Sequence, residues 1–277
     1  MAIYNITHTT VGVELVRKLS AEGLRVFTAE EARRFAPSVG LSPGYFRQAL
    51  HHLSKDGWIV RLKKGLYALS GAVPGTTPLH EFEIAMALVE PAAISHWSAM
   101  SHHGLTDQVP RRVFVLTPAR SVPRRRGAKS EGVQPGYAVG ETFYQFIQVK
   151  LERFFGIEPV WVNESRISIT DPERTLLDGL MAPQYCGDFA EVLHAFELRA
   201  PQLNVERIID YALKLDAATA KRLGWILARQ GIASDRLEPL RAVPIKGYRV
   251  LDPSGPRRGP YEARWMIQVN LPGTAES

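Results

Sequence analysis

The sequence has very little cysteine. Its single Cys186 excludes an internal disulfide and a cysteine-based zinc site, so packing alone has to hold the fold. We expect this thiol to be buried and structural rather than nucleophilic. The sequence also lacks an apolar run long enough to cross a bilayer, and "MAIYNITHTT" lacks the pattern of a signal peptide. We therefore predict a cytoplasmic protein without a membrane partner.

Motifs of enzymes are scarce as well. No glycine-rich phosphate loop follows a predicted strand, and no Gly-x-Ser-x-Gly segment is present. His96, His102 and His103 lack an acidic or cysteine partner close in sequence, so we expect satisfied or exposed histidines. Glu173 and Asp178 are too far apart around a helix to act as paired carboxylates. We predict no catalytic residues, no metal, no cofactor and no enzymatic activity.

Basic charge is present and unevenly distributed. The 277 residues have a net charge of +6, and residues 1–75 hold ten Lys or Arg against five Asp or Glu. Residues 111–130 hold seven basic side chains and no acidic one. The rest of the chain is net negative. Two basic patches on such a chain favour a polyanionic partner more than a uniform excess would.

The N-terminal region has the signals of three helices. Gly23 ends the first, and Thr28 with Glu31 forms a capping box that opens the second. Ser42 is the predicted cap of the third helix, with Pro43 in its first position. After it, "WIVRL" and "GLYAL" predict two strands joined by a tight basic turn.

The third helix has an apolar stripe on one side and a polar face on the other. Three helices followed by a two-stranded wing predict a winged helix-turn-helix domain, whose third helix enters the major groove of double-stranded DNA while the wing follows the phosphates. A domain used only for protein contacts is the alternative. A metal pair at His51 and His52 is disfavoured because adjacent helical residues diverge. The predicted DNA-binding residues are Ser42, Gly44, Tyr45, Arg47, Gln48, His51, His52, Lys55, Arg61, Lys63 and Lys64.

The remaining chain predicts a second domain. "SGAVPGTTP" at 70–78 has the composition of a linker, so we divide the chain into a winged-helix domain at 1–75 and a mixed α/β domain at 76–277. The fold class is α+β. Asp171 is predicted to cap a helix, and Arg174 on that helix is predicted to form a buried or half-buried ion pair that holds the helix to the sheet, with a partner-binding role as the alternative. Because each half has its own apolar residues, we expect each to fold alone.

A basic loop lies within the second domain. "ARSVPRRRGAKSEGVQPG" has no periodicity, and Arg124, Arg125 and Arg126 make it strongly basic. These three arginines form a candidate second basic patch. A second phosphate contact, a partner site and an ordinary solvated loop all remain open.

Several segments taken together resemble the AbiEi family of antitoxins, which are also described as regulators of viral defence. They are "GWIVRLKKGLYAL", "ISHWSAMSHHGL", "QFIQVKLERFFGIEPVWV", "ISITDPERTLLDGL" and "RWMIQVN". The resemblance implies a winged helix that binds inverted repeats in its own promoter. It also implies a C-terminal domain that counters a nucleotidyltransferase toxin of a type IV toxin-antitoxin system.

The resemblance assigns no toxin-facing residue to this sequence. We therefore predict a DNA-binding antitoxin that represses its own operon. A plain regulator whose C-terminal domain senses a small ligand is the alternative, and a pocket with converging polar groups in residues 80–277 would favour it. A nuclease that uses the carboxylates at 171–178 would need a metal site that their spacing does not offer.

Overall fold

The computed structural model describes residues 2–71, 75, 77–124 and 136–271, and for residues 2–10 only the backbone. The predicted mixed α+β composition is confirmed. The described residues of the N-terminal part form three α-helices and three strands. In chain order these are α1 (Ala2–Ala21), β1 (Val26–Thr28), α2 (Ala29–Phe35), α3 (Phe46–Lys55), β2 (Ile59–Lys63) and β3 (Leu66–Leu69).

Local signals place two of the three helix boundaries where the sequence predicts them. Gly23 follows α1 in the left-handed region at φ +74°. The Thr28 hydroxyl accepts a hydrogen bond from the Glu31 amide at 3.1 Å, and the Thr28 amide donates to the Glu31 carboxylate at 2.7 Å. This capping box satisfies donors that the start of α2 would otherwise leave unpaired.

The predicted cap of α3 is wrong. The helix begins at Phe46, and Tyr45 stands in the capping position without a side-chain hydrogen bond to the helix end. The Ser42 carbonyl accepts from the amides of Tyr45 and Phe46, each at 3.1 Å. A turn through Pro43 therefore leads into the helix. The Ser42 carbonyl, and not the predicted Ser42 hydroxyl, accepts the hydrogen bonds at the start of the helix.

The three N-terminal strands form one antiparallel sheet in the order β1-β3-β2. Ala68 of β3 lies opposite Val26 on one side and Val60 on the other. The predicted hairpin is therefore present, and β1 extends it by a strand that the sequence analysis did not predict.

The C-terminal part begins with one mixed sheet of six strands, in the order β6-β7-β5-β4-β9-β8. The pairs β5–β7 and β4–β9 are parallel, and the other pairs are antiparallel. The elements are α4 (Glu81–Leu88), β4 (Ala93–Ile94), α5 (His96–His102), β5 (Arg112–Thr117), β6 (Gly136–Val139), β7 (Thr142–Gln148), β8 (Ile157–Val162) and β9 (Ser165–Thr170).

A helical layer and a small sheet complete the chain. The small sheet has the order β10-β12-β11. The elements are α6 (Pro172–Met181), α7 (Phe189–Arg199), α8 (Val205–Leu215), α9 (Ala217–Arg229), α10 (Glu238–Ala242), β10 (Arg249–Val250), β11 (Tyr261–Glu262) and β12 (Ile267–Gln268).

The start of α6 follows the prediction closely. The Asp171 side chain accepts from the Arg174 amide at 2.7 Å and so caps the helix. Arg174 is fully buried, and its Nε donates to Asp178 Oδ1 at 2.9 Å. The same guanidinium donates to the Arg153 carbonyl at 2.7 Å, which joins α6 to the segment before β8. The predicted buried ion pair is therefore present, but its partner lies on α6 itself, and hydrogen bonds to backbone carbonyls, not the ion pair, join Arg174 to the segment before β8. The predicted burial of Cys186 is confirmed.

The N-terminal sheet is covered on both faces. One face, which includes Phe27 and Ile59, packs in a core with α1, α2 and α3. The other face, which includes Leu62 and Ala68, packs in a core with Phe82 and other residues of the C-terminal part. Successive strand residues point to opposite faces, so each strand contributes to both cores. The boundary at residue 75 stays a prediction, although this sheet contacts both proposed domains.

Candidate nucleic-acid interface

Helix α3 is fixed by its apolar side. Phe46, Ala49, Leu50 and Leu53 are each less than 5% exposed and pack against the other N-terminal helices. Gly12 of α1 faces Leu53, and a methyl group added at Gly12 would lie 3.2 Å from the leucine side chain. The glycine thus lets the two helices approach closely. This contact fixes the direction in which the opposite face of α3 points.

The opposite face of α3 lies in solvent, as predicted. Five side chains on this face are exposed, and none of them is acidic: Arg47, Gln48, His51, His52 and Lys55. Gln48 Nε2 and His52 Nε2 are 3.4 Å apart, within reach of a hydrogen bond. The helix therefore presents a row of donors and acceptors bordered by two cations.

The residues before α3 lie at the end of the same face. Ser42 and Gly44 are exposed, and Tyr45 is half-buried with its ring 6.4 Å from the ring of His52. A methyl group added at Gly44 would meet no described atom within 4 Å. Packing inside the protein therefore does not explain this glycine, whereas a glycine lets an outside group approach the backbone closely.

The hairpin turn places its two lysines differently. Arg61 and Lys64 are exposed. Lys63 is half-buried, and its ammonium donates to the Leu88 carbonyl at the end of α4 over 2.7 Å. Burial lowers the pKa of Lys63 below its ordinary value, because the charged form loses hydration. Two of the three predicted wing cations are thus directed to solvent, and the third joins the two parts of the chain.

The second basic patch is described only in part. Arg124 is exposed, while Arg125 and Arg126 lie outside the described residues. Arg124 lines the same cleft as Arg61, Lys63 and Lys64. No local sequence pattern relates Arg124 to the hairpin cations, because it lies some sixty positions further along the chain and only the tertiary fold makes them neighbours.

The three histidines in and next to α5 differ in exposure: His96 is buried, His103 is half-buried and His102 is exposed. The His96 ring contacts the Ser95 hydroxyl at 2.9 Å, and His103 Nε2 lies 2.7 Å from the Thr170 carbonyl oxygen. Burial lowers the pKa of both imidazoles. Over the described ranges, no group of three or more His, Cys, Asp or Glu could hold a metal.

None of the helices in the described ranges is long and apolar enough to cross a membrane.

A small pocket of about 250 Å³ lies between α4 and α5. The polar residues of its lining are His80, Glu81, Ser98, Ser101 and His102, and Phe82 lies beside them. This is the kind of feature that the ligand-sensing alternative requires. Its described lining contains no Lys or Arg, whereas four of them line the cleft that includes Arg124.

Residues 14–70 match the family described as "Transcriptional regulator, AbiEi antitoxin". The resemblance predicted from the sequence is therefore confirmed for the segment that contains α3 and the hairpin. No curated protein matches the sequence. The crystal structure of the RV2827C protein from Mycobacterium tuberculosis is similar, with a TM-score of 0.67 and 16% identity. The similarity covers 93% of this chain and 90% of that one, and at this identity it shows a shared fold only.

Proposed function

We propose that this protein is a winged-helix regulator that binds double-stranded DNA through α3 and the β2–β3 hairpin. The exposed polar and basic face of α3, which leads directly into a basic hairpin, is the observation on which the proposal rests. A solvated helix face normally mixes acidic and basic side chains. This face presents cations and neutral donors only, as a surface opposite phosphates and base edges requires.

The side chains of this surface divide into two roles. Gln48, His51 and His52 can hydrogen-bond base edges in the major groove. Arg47, Lys55, Arg61 and Lys64 can contact phosphates, and Gly44 allows the DNA backbone to approach the start of α3. Ser42 and Tyr45 lie next to Gly44 and would be close to the same stretch of DNA backbone. Lys63 would have to share its ammonium between a phosphate and the Leu88 carbonyl, so we assign it the smaller part.

Paired substitutions test the two roles. In binding titrations, Gln48→Ala should weaken a selected duplex by about 1–3 kcal/mol and relax base preference, because a base contact is lost. Lys64→Ala should weaken selected and scrambled duplexes by the same factor, because phosphate contacts are independent of sequence. Equal losses on both duplexes from Gln48→Ala would remove Gln48 from base readout. Failure of the wild-type chain to bind any duplex would refute the proposal.

We further propose that the protein represses its own operon from an inverted-repeat operator and acts as the antitoxin of a nucleotidyltransferase toxin. The family match at residues 14–70 supports this proposal. On this reading, the protein is a cytoplasmic non-enzyme whose segment 76–277 counters the toxin. Co-expression with the neighbouring toxin gene tests it. The full chain carrying Gln48→Ala should still protect cells, because the substitution leaves the C-terminal part intact.

A regulator that senses a small ligand is the second candidate. The pocket between α4 and α5 supports it, because residues with hydroxyl, imidazole and carboxylate groups line it beside an aromatic ring. The two candidates differ in a simple observation: a chain without any antitoxin role would give no protection in the co-expression experiment, yet would still bind DNA.

A further inference from the structure

A cleft lies between the β2–β3 hairpin and the C-terminal part of the chain. Its volume is about 850 Å³, several times that of the pocket between α4 and α5. The hairpin contributes Arg61, Lys63 and Lys64 to one wall. The segment after β5 contributes Arg124, and β6 contributes Tyr137. Both parts of the chain therefore build the cleft.

Four cationic side chains line this cleft, and its described lining contains no acidic residue. Like charges around one space repel each other, so the arrangement is costly unless an anion or bulk water separates them. Ion pairs balance several arginines elsewhere in the protein, as Glu173 does for Arg199 and Arg207. The cleft has no comparable partner among its described lining residues, and this imbalance indicates an anionic ligand.

Contacts between its walls hold the cleft in shape. The ammonium of Lys63 donates to the Leu88 carbonyl across the gap between the hairpin and α4. Directly beside it, Leu62 is fully buried in the core that the hairpin shares with the C-terminal part. Because these contacts fix the hairpin against α4, Lys63 and the backbone that carries Arg61 and Lys64 are set in position before a ligand arrives. Such preorganisation reduces the ordering cost of binding.

We propose that this cleft is a phosphate-binding site and that it receives the DNA backbone next to the segment bound by α3, so that the C-terminal part contributes to DNA binding. The inference rests on the function proposed above. Three of the four cations belong to the hairpin, which begins four residues after α3 ends. In a winged helix the backbone of the bound duplex passes along this hairpin. A phosphate on the hairpin would therefore come within reach of Arg124.

The salt dependence of DNA binding tests this inference. The probe is a duplex of about 30 base pairs, long enough to pass beyond one major-groove contact, selected in vitro with the full wild-type chain. Each lost phosphate contact flattens the slope of log K against log salt by about 0.9. Arg124→Ala should produce this change on the selected duplex and on a scrambled one. Arg111→Ala is the matched control, because Arg111 is exposed at the opposite end of β5 and does not line the cleft.

Four results are distinguishable. A flattened slope for Arg124→Ala with an unchanged slope for Arg111→Ala, at equal thermal stability, supports the inference. An Arg124→Ala slope equal to that of wild type overturns it and leaves DNA binding by α3 intact. Absence of DNA binding by the wild-type chain refutes the proposed function and this inference together. If ATP or inorganic phosphate binds and Arg124→Ala abolishes that binding without changing the DNA slope, the cleft serves a free phosphate ligand and the DNA assignment is wrong.

Discussion

Leu62 connects the two parts of the chain, and replacing it measures how strongly they depend on each other. Its side chain is 0% exposed and lies on the sheet face that packs against the C-terminal core. Leu62→Ala should lower the free energy of unfolding by about 2–5 kcal/mol, since a buried leucine loses both its apolar transfer energy and its packing. Leu213→Ala is the control, because Leu213 is 45% exposed on α8 and should change stability by about 0.5 kcal/mol or less.

Urea denaturation followed by tryptophan fluorescence can detect the coupling. Trp58 precedes β2 and is the single tryptophan of residues 1–75, whereas the other four lie in the remaining chain. Comparison with a Trp58→Phe variant therefore separates the two signals. If the sheet couples the two parts, Leu62→Ala should shift both signals to lower urea together. A loss below about 1 kcal/mol, or a shift of the Trp58 signal alone, would refute this reasoning.

Two further predictions concern polar groups removed from water, the half-buried His103 and the buried Asp178. Burial lowers the pKa of His103, so below about pH 6.5 the unfolded chain binds a proton that the folded chain does not, and stability falls as the pH decreases towards the folded-state pKa. His103→Gln should flatten this loss in urea denaturation between about pH 7.5 and 5.5, and an unchanged pH dependence would contradict the assignment. Asp178→Ala should cost about 3–5 kcal/mol because it leaves the charge of Arg174 buried without its partner, while Asp210→Ala on the exposed side of α8 should have little effect. Similar midpoints for the two aspartate variants would show that the ion pair contributes little.

Features determined by neighbouring residues could be predicted from the sequence. The capping box at Thr28 and the aspartate cap at Asp171 each need residues only three positions apart. The two faces of α3 follow from helical periodicity. The ion pair between Arg174 and Asp178 is an i,i+4 pair on a helix whose other residues are mostly apolar. In each case one short segment contains the information.

Features that depend on distant residues were missed. Strand β1 has only three residues, and it is a strand because β3 pairs with it, not because of a strong pattern of its own. The position of Lys63 depends on the carbonyl of Leu88, which no local pattern specifies. The predicted side-chain cap at Ser42 is wrong for a related reason. A serine before a helix can accept hydrogen bonds from the first amides through its hydroxyl or through its carbonyl, and in this structure the carbonyl accepts them.

The shared sheet also affects the prediction that residues 1–75 fold and bind DNA alone. In that fragment the face containing Leu62 and Ala68 would meet water, at a cost of about 1.5–3 kcal/mol for a leucine side chain. A small domain has little stability to spare. The fragment therefore keeps the DNA-contacting residues of α3 but loses the support of one sheet face and the cation at Arg124.

These two losses have different signatures, and this difference allows the roles of the C-terminal part to be separated. A change that only destabilises the fold, such as Asp178→Ala in α6 outside the cleft lining, lowers the fraction of chains able to bind and leaves the salt slope of the folded fraction unchanged. A change that removes a phosphate contact, as proposed for Arg124→Ala, alters the slope while the unfolding midpoint stays constant. Measuring both quantities on both variants therefore distinguishes a C-terminal part that supports the hairpin from one that also contacts DNA.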